Sequence, residues 1–313
     1  MPDKISEFDL IKRYFDRHAL RHAFNQLGIG DDCALSQIPA DCQLAVTTDT
    51  MVENVHFFAD TDARMLGHKL LAVNLSDLAA MGAEPFAVTL ALTLPKVDES
   101  WLNAFSLGFM DLAKQFKLDL IGGDTTQGPL TLTVQALGTV PRGLALLRST
   151  AKAGDLIYVT GQIGNAGLGL KISQGYSCEQ ADTMLASFHT PQPRIAQGLG
   201  LRGIASACID ISDGLAADLN HILTDSGVGA SLDWHSLPLS PAVKNYVAES
   251  GDWRMPLTAG DDYELCFTSN PQFKPALPSG CHCIGVIDAQ AGLRINYNRQ
   301  LHNLHTKGYE HFS

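Results

Sequence analysis

The sequence predicts a soluble α/β protein of two domains, and three observations carry that expectation. A chain of 313 residues, 45% hydrophobic and 18% charged, is long enough to bury more than one core. Apolar runs with period-two alternation are interleaved with stretches at helical spacing. Several of these runs end in a small residue followed by aspartate: "LGIGDDCAL" (Asp31, Asp32), "LAVTTDT" (Asp49), "LIGGDTT" (Asp124), "CIDISDG" (Asp210, Asp213) and "LTAGDDYEL" (Asp261, Asp262). Strand ends therefore carry most of the candidate acids.

Taken in chain order, the opening "MPDKISEFDLIKRYF" reads as an amphipathic helix capped by Ser6. Acids interrupt its apolar pattern and no small-residue cleavage site follows, so it is not read as a signal peptide. In "DARMLGHKLLAVNLSDLAAMG", Leu66, Leu70, Val73, Asp77 and Met81 share one helical stripe, opened by a cap at Asp62 and closed by Gly82. The longest apolar stretch, Leu78 to Leu94, is broken by Glu84 and Pro85, and its second half alternates as a strand instead of spanning a membrane. "FAVTLALTL" and "LTLTVQALGTV" are apolar strands that would leave exposed edges unless a partner covers them. "GQIGNAGLGLK" (Gly161 to Lys171) follows the strand "DLIYVT" and opens a helix, without the P-loop pattern. "GLGLRG" (Gly198 to Gly203) matches the dinucleotide glycine pattern letter for letter, but no strand precedes it, so the match is fortuitous. In "CIDIS", Ile209 and Ile211 share one face of a strand, Asp210 and Ser212 the other. Leu215, Leu219, Ile222 and Leu223 continue at helical spacing, which sets Asp213 at a strand-to-helix turn and leaves Asp218 for the solvated side of the helix.

Composition removes several function classes. A net charge of −11 disfavours nucleic acid, whose phosphate backbone calls for a basic face. Seven scattered cysteines do not form a disulfide framework, and Cys281-His282-Cys283 lacks zinc-site spacing. Cys33 is expected simply to pack, and His302, His305 and His311 to lie in a solvated tail. The cytoplasm is the expected location.

The acids themselves point to chemistry. Asp213 reads either as a helix N-cap or as a ligand. Asp77 lies on a core-facing stripe, where an unpaired charge costs several kcal/mol, so it should meet a metal, a basic group or a hydrogen-bond network. Oxygen ligands without clustered His or Cys favour magnesium, manganese or calcium, and magnesium commonly shares its shell with substrate phosphates. No Walker A loop, protein-kinase motif set or nucleophile elbow accompanies them.

Six motifs, "GIGDDCAL", "TTDTMVENVHF", "VNLSDLAAMGAEP", "GGDTT", "DISDGLAADLNHI" and "GYEHF", spread in order over nearly the whole chain, closely resemble the thiamine-monophosphate kinase family of the aminoimidazole-ribonucleotide-synthetase-like superfamily. The resemblance implies an AIR-synthetase-like fold: an N-terminal α/β domain over 1–143 and a C-terminal α+β domain over 144–313. It further implies that the N-terminal domain serves metal, ATP and dimerisation, with its sheet pairing across a homodimer. The implied activity is ATP- and magnesium-dependent phosphorylation of thiamine monophosphate to thiamine diphosphate. The family's magnesium ligands fall on Asp32, Thr47, Thr48, Asp49, Asp77, Asp124, Asp210 and Asp213. ATP contacts fall on Gly123, Asp124, Arg148 and Ser212, and substrate contacts on His56, Asp261 and Tyr309. Two positions depart from the common pattern, Asp261 standing for the usual Glu and Tyr309 for a frequent Trp.

No general base is expected, because the acceptor phosphate has a second pKa of about 6 and is largely deprotonated at neutral pH. Catalysis then reduces to positioning and charge stabilisation. Two other classes share the acids: a superfamily relative using ATP on a different acceptor, and a metal-binding regulatory protein without turnover.

Overall fold

The computed structural model describes residues 7–15 and 22–304, so Ser6, His305, Tyr309 and His311 lie outside the described residues. The chain divides into two compact units, one of residues 1–78 and 84–142 and one of residues 79–83 and 143–313.

The first unit runs α1 (Glu7–Tyr14), β1 (Asn25–Leu27), β2 (Leu35–Ser36), β3 (Cys42–Val52), α2 (Ala63–Ala80), β4 (Glu84–Leu94), α3 (Glu99–Gln115), β5 (Asp119–Gln127) and β6 (Thr131–Pro141). Its main sheet has the order β3-β6-β4-β5, with β4 and β5 parallel and the other pairs antiparallel. The two apolar strands expected to present edges, β4 and β6, are instead the inner pair. The edges are β3 and β5, whose Thr- and Asp-rich sequences tolerate water.

Helix α2 starts at the expected cap, where Met65 N donates to Asp62 Oδ1 at 3.0 Å, and stops at Gly82, whose φ is 62°. The single buried stripe is a misreading. Leu71, Ala72, Asn74, Leu75 and Ser76 are as inaccessible as Leu66 and Leu70, while Met81 is exposed. The helix is buried nearly all round, between α3 and the sheet face that carries Asp49, so a one-sided pattern is not required of it. The opposite sheet face is open in the monomer, with Leu44 47% and Val46 52% exposed.

The second unit runs β7 (Leu156–Thr160), α4 (Asn165–Ser173), α5 (Ala181–His189), α6 (Ile195–Gly200), β8 (Ala205–Asp210), α7 (Leu215–Ser226), β9 (Gly229–Asp233), α8 (Pro241–Ser250), α9 (Met255–Thr258), β10 (Leu265–Ser269), β11 (Cys281–Asp288), β12 (Gly292–Tyr297) and β13 (Gln300–Asn303). Seven strands form one sheet in the order β13-β12-β9-β11-β7-β10-β8, with only β12 and β9 parallel. Ile157, Val159, Ile209, Cys266, Ile284 and Ile287 from the sheet bury against Leu219, Ile222 and Leu223 of α7 and Val243 and Val247 of α8. Burial of such side chains at roughly 1.5–3 kcal/mol each fixes the strand ends that follow.

The residues 79–83 belong to this second unit. Met81 O accepts from Leu146 N at 3.1 Å, and Gly82 O accepts from Arg202 Nε at 2.6 Å. Gly198, part of the glycine-rich match, lies in α6 against this segment: a Cβ there would stand 2.1 Å from Ala79 O. Its glycine serves close packing, with no strand leading into it.

All seven cysteines are free, and Cys33 is exposed rather than packed. His302 does not sit in open solvent. Its ring lies 5.0 Å from that of Trp253, which stacks on Tyr297 at 4.6 Å. Among the described residues no helix is long and apolar enough to cross a membrane.

Candidate active site

In the first unit, Thr47, Asp49 and Asp77 come together on the helix-covered face of the sheet. Thr47 Oγ1 donates to Asp77 Oδ2. Asp49 N donates to Asn74 Oδ1 at 3.2 Å, and Asn74, itself fully buried, is held by its Nδ2 donating to Leu70 O at 3.0 Å. Burial, and then the nearby charge of Asp77, push the Asp49 carboxyl up to about 6. The α2 carboxylate is thus set near a strand carboxylate, and the proximity favours a proton or a cation at Asp49.

The other expected ligands of this unit are placed differently. Register puts Asp124 in the cross-strand row Thr50–Thr133–Ala91–Asp124, and the next row is Asp49–Val134–Leu90–Gly123. Neighbouring rows face opposite sides of a pleated sheet, so Asp124, like Thr48, belongs to the open face. Asp32 is exposed in the loop after β1, where its N–H donates to Asp31 Oδ1 at 2.9 Å. His56 closes a turn: its Nδ1 accepts from Val52 N at 3.0 Å and its N–H donates to Val52 O at 2.9 Å.

In the second unit the strand-to-helix turn after β8 is laced to the segment before β10. Ile211 N donates to Glu264 O, Tyr263 N to Ile211 O and Asp261 N to Ser212 O, each at 2.8 Å. Asp210 ends the strand, 4% exposed. Asp261 and Tyr263 both have positive φ, 69° and 48°, and Tyr263 Oη donates to Asp261 Oδ1 at 3.0 Å. Asp213 is not the N-cap of α7. Gly214 holds that position with φ 104°, a conformation only glycine adopts freely. Arg148 is exposed, close enough for its charge to act on Asp218.

Asp218 is the clearest reversal. It is 3% exposed, and its Oδ2 accepts from Ser212 N and from Asp213 N, each at 3.0 Å. Burial raises its carboxyl to about 7 against the pull of those two donors. The helical spacing contained the signal: position 218 is i+3 from Leu215 and i−4 from Ile222, on their side of α7.

Sequence reasoning also gave no role to two neighbours. Asp262 caps α4, accepting from Gly164 N at 2.7 Å and Ala166 N at 3.3 Å. Glu264 accepts from Thr160 Oγ1 at 2.6 Å and is gripped by Arg194 through Nε at 2.6 Å and through Nη2. These residues line part of a cavity of about 480 Å³ with Gln162, Asn165 and Thr190.

Among the described residues no three of His, Cys, Asp or Glu are grouped closely enough to hold an ion alone. The donors present are carboxylate and hydroxyl oxygens, with Asp49 and Asp77 in mutual repulsion. That set fits a hard divalent cation which completes its shell with water and phosphate oxygens.

Comparison with known proteins agrees with this partition. The profile of AIR synthase related proteins, N-terminal domain, matches residues 30–140, and that of the C-terminal domain matches residues 152–273. Thiamine-monophosphate kinase of Escherichia coli (strain K12) is 47% identical over 319 aligned residues, covering 98% of each chain. The crystal structure of thiamine-monophosphate kinase from Stenotrophomonas maltophilia K279a superposes with a TM-score of 0.85 at 43% identity, over 93% of this chain and 97% of that one. A structure of AaThiL complexed with AMPPCP and TMP gives a TM-score of 0.79 at 29% identity, over 98% and 97%. This chain belongs to the thiamine-monophosphate kinase family, built from the two domains of AIR synthase related proteins.

Proposed function

We propose that this chain transfers the γ-phosphoryl group of ATP to the phosphate of thiamine monophosphate, giving thiamine diphosphate and ADP by direct in-line displacement. The observation that carries the reading is full-length likeness to thiamine-monophosphate kinases, together with a relative captured with AMPPCP and TMP. The acceptor oxygen forms a bond to the γ-phosphorus as the bond to the β–γ bridging oxygen breaks. Magnesium, when bound, would neutralise the phosphate oxygens that otherwise repel one another.

Asp32, Thr47, Thr48, Asp49, Asp77, Asp124, Asp210 and Asp213 are the proposed magnesium ligands. Gly123, Asp124, Arg148 and Ser212 are assigned to ATP, and His56, Asp261 and Tyr309 to the thiamine moiety and its phosphate. The units take the roles expected of an N-terminal domain (1–143) for metal, ATP and dimerisation and a C-terminal domain (144–313). No residue acts as general base: the acceptor phosphate, with its second pKa of about 6, arrives largely deprotonated. The side chains of this chain orient the acceptor, hold the nucleotide and concentrate oxygen donors where charge must be offset. We place the reaction in the cytoplasm.

The deciding experiment incubates pure protein with magnesium-ATP and either thiamine or thiamine monophosphate. Thiamine diphosphate should form from the monophosphate alone. No diphosphate from either acceptor would end the proposal, and product from thiamine would redirect it. Within the same assay, Asp261→Asn suits the positive φ of that position better than alanine. It should raise KM for thiamine monophosphate about tenfold and leave that for ATP nearly unchanged, as expected for loss of acceptor binding alone.

The open face of the first unit's sheet supports a homodimer, since Leu44 and Val46 lie exposed on an edge strand that a second copy would cover. Sedimentation at micromolar concentration should show two chains. A fully active single-chain species would remove the dimer from the proposal.

A further inference from the structure

A strand-to-helix turn normally presents free backbone N–H groups at a positive helix end, which is a ready site for a bare anion. The turn after β8 departs from that default. Asp218, from the first turn of α7, reaches back and takes the N–H groups of both Ser212 and Asp213 on one carboxylate oxygen, each at 3.0 Å. The Ser212 carbonyl is occupied from the other side by Asp261 N at 2.8 Å. The peptide groups flanking Ser212 are therefore pinned from two directions. The amides of Ser212 and Asp213 are thus engaged from within the chain, and these two residues with Asp210 bring side-chain oxygens to the turn.

We propose that Asp218 is the positioning residue of this turn: by occupying the amides of Ser212 and Asp213, it makes the turn accept a metal-bound nucleotide and reject a bare polyphosphate. The inference rests on the assignment of Asp210, Ser212 and Asp213 to metal and ATP given above. Asp218 touches neither substrate nor metal in this account and acts through the backbone of its neighbours.

The test compares the full-length wild type with Asp218→Asn and Asp218→Glu. Hydrogen exchange across residues 210–218 is measured without ligand, and binding of magnesium-ATP and of ATP in EDTA by calorimetry. In Asp218→Asn, the Ser212 and Asp213 amides should exchange at least tenfold faster. The preference for magnesium-ATP over metal-free ATP should collapse at least tenfold, and KM for thiamine monophosphate should hold. Asp218→Glu, which keeps the carboxylate, should recover part of that preference. If Asp218→Asn retains both amide protection and the wild-type preference, this inference alone is overturned. A matched loss for both forms of ATP, with a lowered melting temperature, also overturns it, because the residue would then be merely structural. A wild type indifferent to magnesium overturns the inference together with the functional reading beneath it.

Discussion

In the first unit Asp49 stands close enough to Asp77 for the two charges to act on one another, and the Thr47 hydroxyl donates to Asp77. In the second unit Glu264 is held by two nitrogens of Arg194 and by Thr160, and Asp288 likewise receives Arg294 Nη2 at 2.7 Å on both oxygens. By residue type alone these four acids look alike. What separates them is whether the fold itself supplies the counter-charge. An acid gripped by arginine holds structure, whereas two neighbouring acids raise one another's affinity for a proton or a cation.

Three measurements would break or sharpen that contrast. The largest effect is expected for Asp77→Asn, which should lower turnover by about two to three orders of magnitude, the scale of one preorganised electrostatic group. The variant should keep its circular dichroism, and near-normal turnover would take the acid pair out of the chemistry. Next, Arg194→Met should destabilise the second unit by about 3 kcal/mol in urea unfolding, because it strands a buried carboxylate. Pairing it with Glu264→Met should return much of that loss, and a single variant as stable as wild type would deny the ion pair its structural role. The smallest effect concerns Asp262, whose carboxyl burial pushes up to about 8 against two N–H donors from α4. Its folded pKa lies above the unfolded value, so the unfolded chain gives up its proton first. The stabilising contribution is complete below the ordinary carboxylate pKa and is lost as pH rises toward about 8. Wild-type melting temperature should fall by a few degrees across that window, and Asp262→Asn should flatten the slope.

Much of this was legible before any coordinates. Asp49, Asp77, Asp210 and Asp213 stand out because acids at strand ends and on a core-facing helix position violate the usual preference for water. The motifs that follow them in order carried the family. What failed was neighbourhood. Periodicity cannot say that α2 is covered on nearly every side, since an all-round buried helix and a striped one share their best positions. Alternation in "FAVTLALTL" marks a strand without saying whether it is an edge. Residue type points Asp218 to water although its spacing places it with Leu215 and Ile222, because its partners are main-chain amides that no sequence pattern displays. The opposite-face placement of Thr48 and Asp124 follows from register, which needs the paired strands to be known.

The excursion of residues 79–83 into the second unit has a consequence in time. Gly82 and the Arg202 side chain that binds its carbonyl are separated by 120 positions. A ribosome adding about 5–20 residues per second delivers the second on the order of ten seconds after the first. Leu146, which bonds Met81, arrives about halfway through that delay, and the arginine partner of Gly82 only at its end. The segment after α2 is therefore completed in two stages, and the arrival of α6 and its flanking arginine supplies the last of these bonds, more than a third of the chain later.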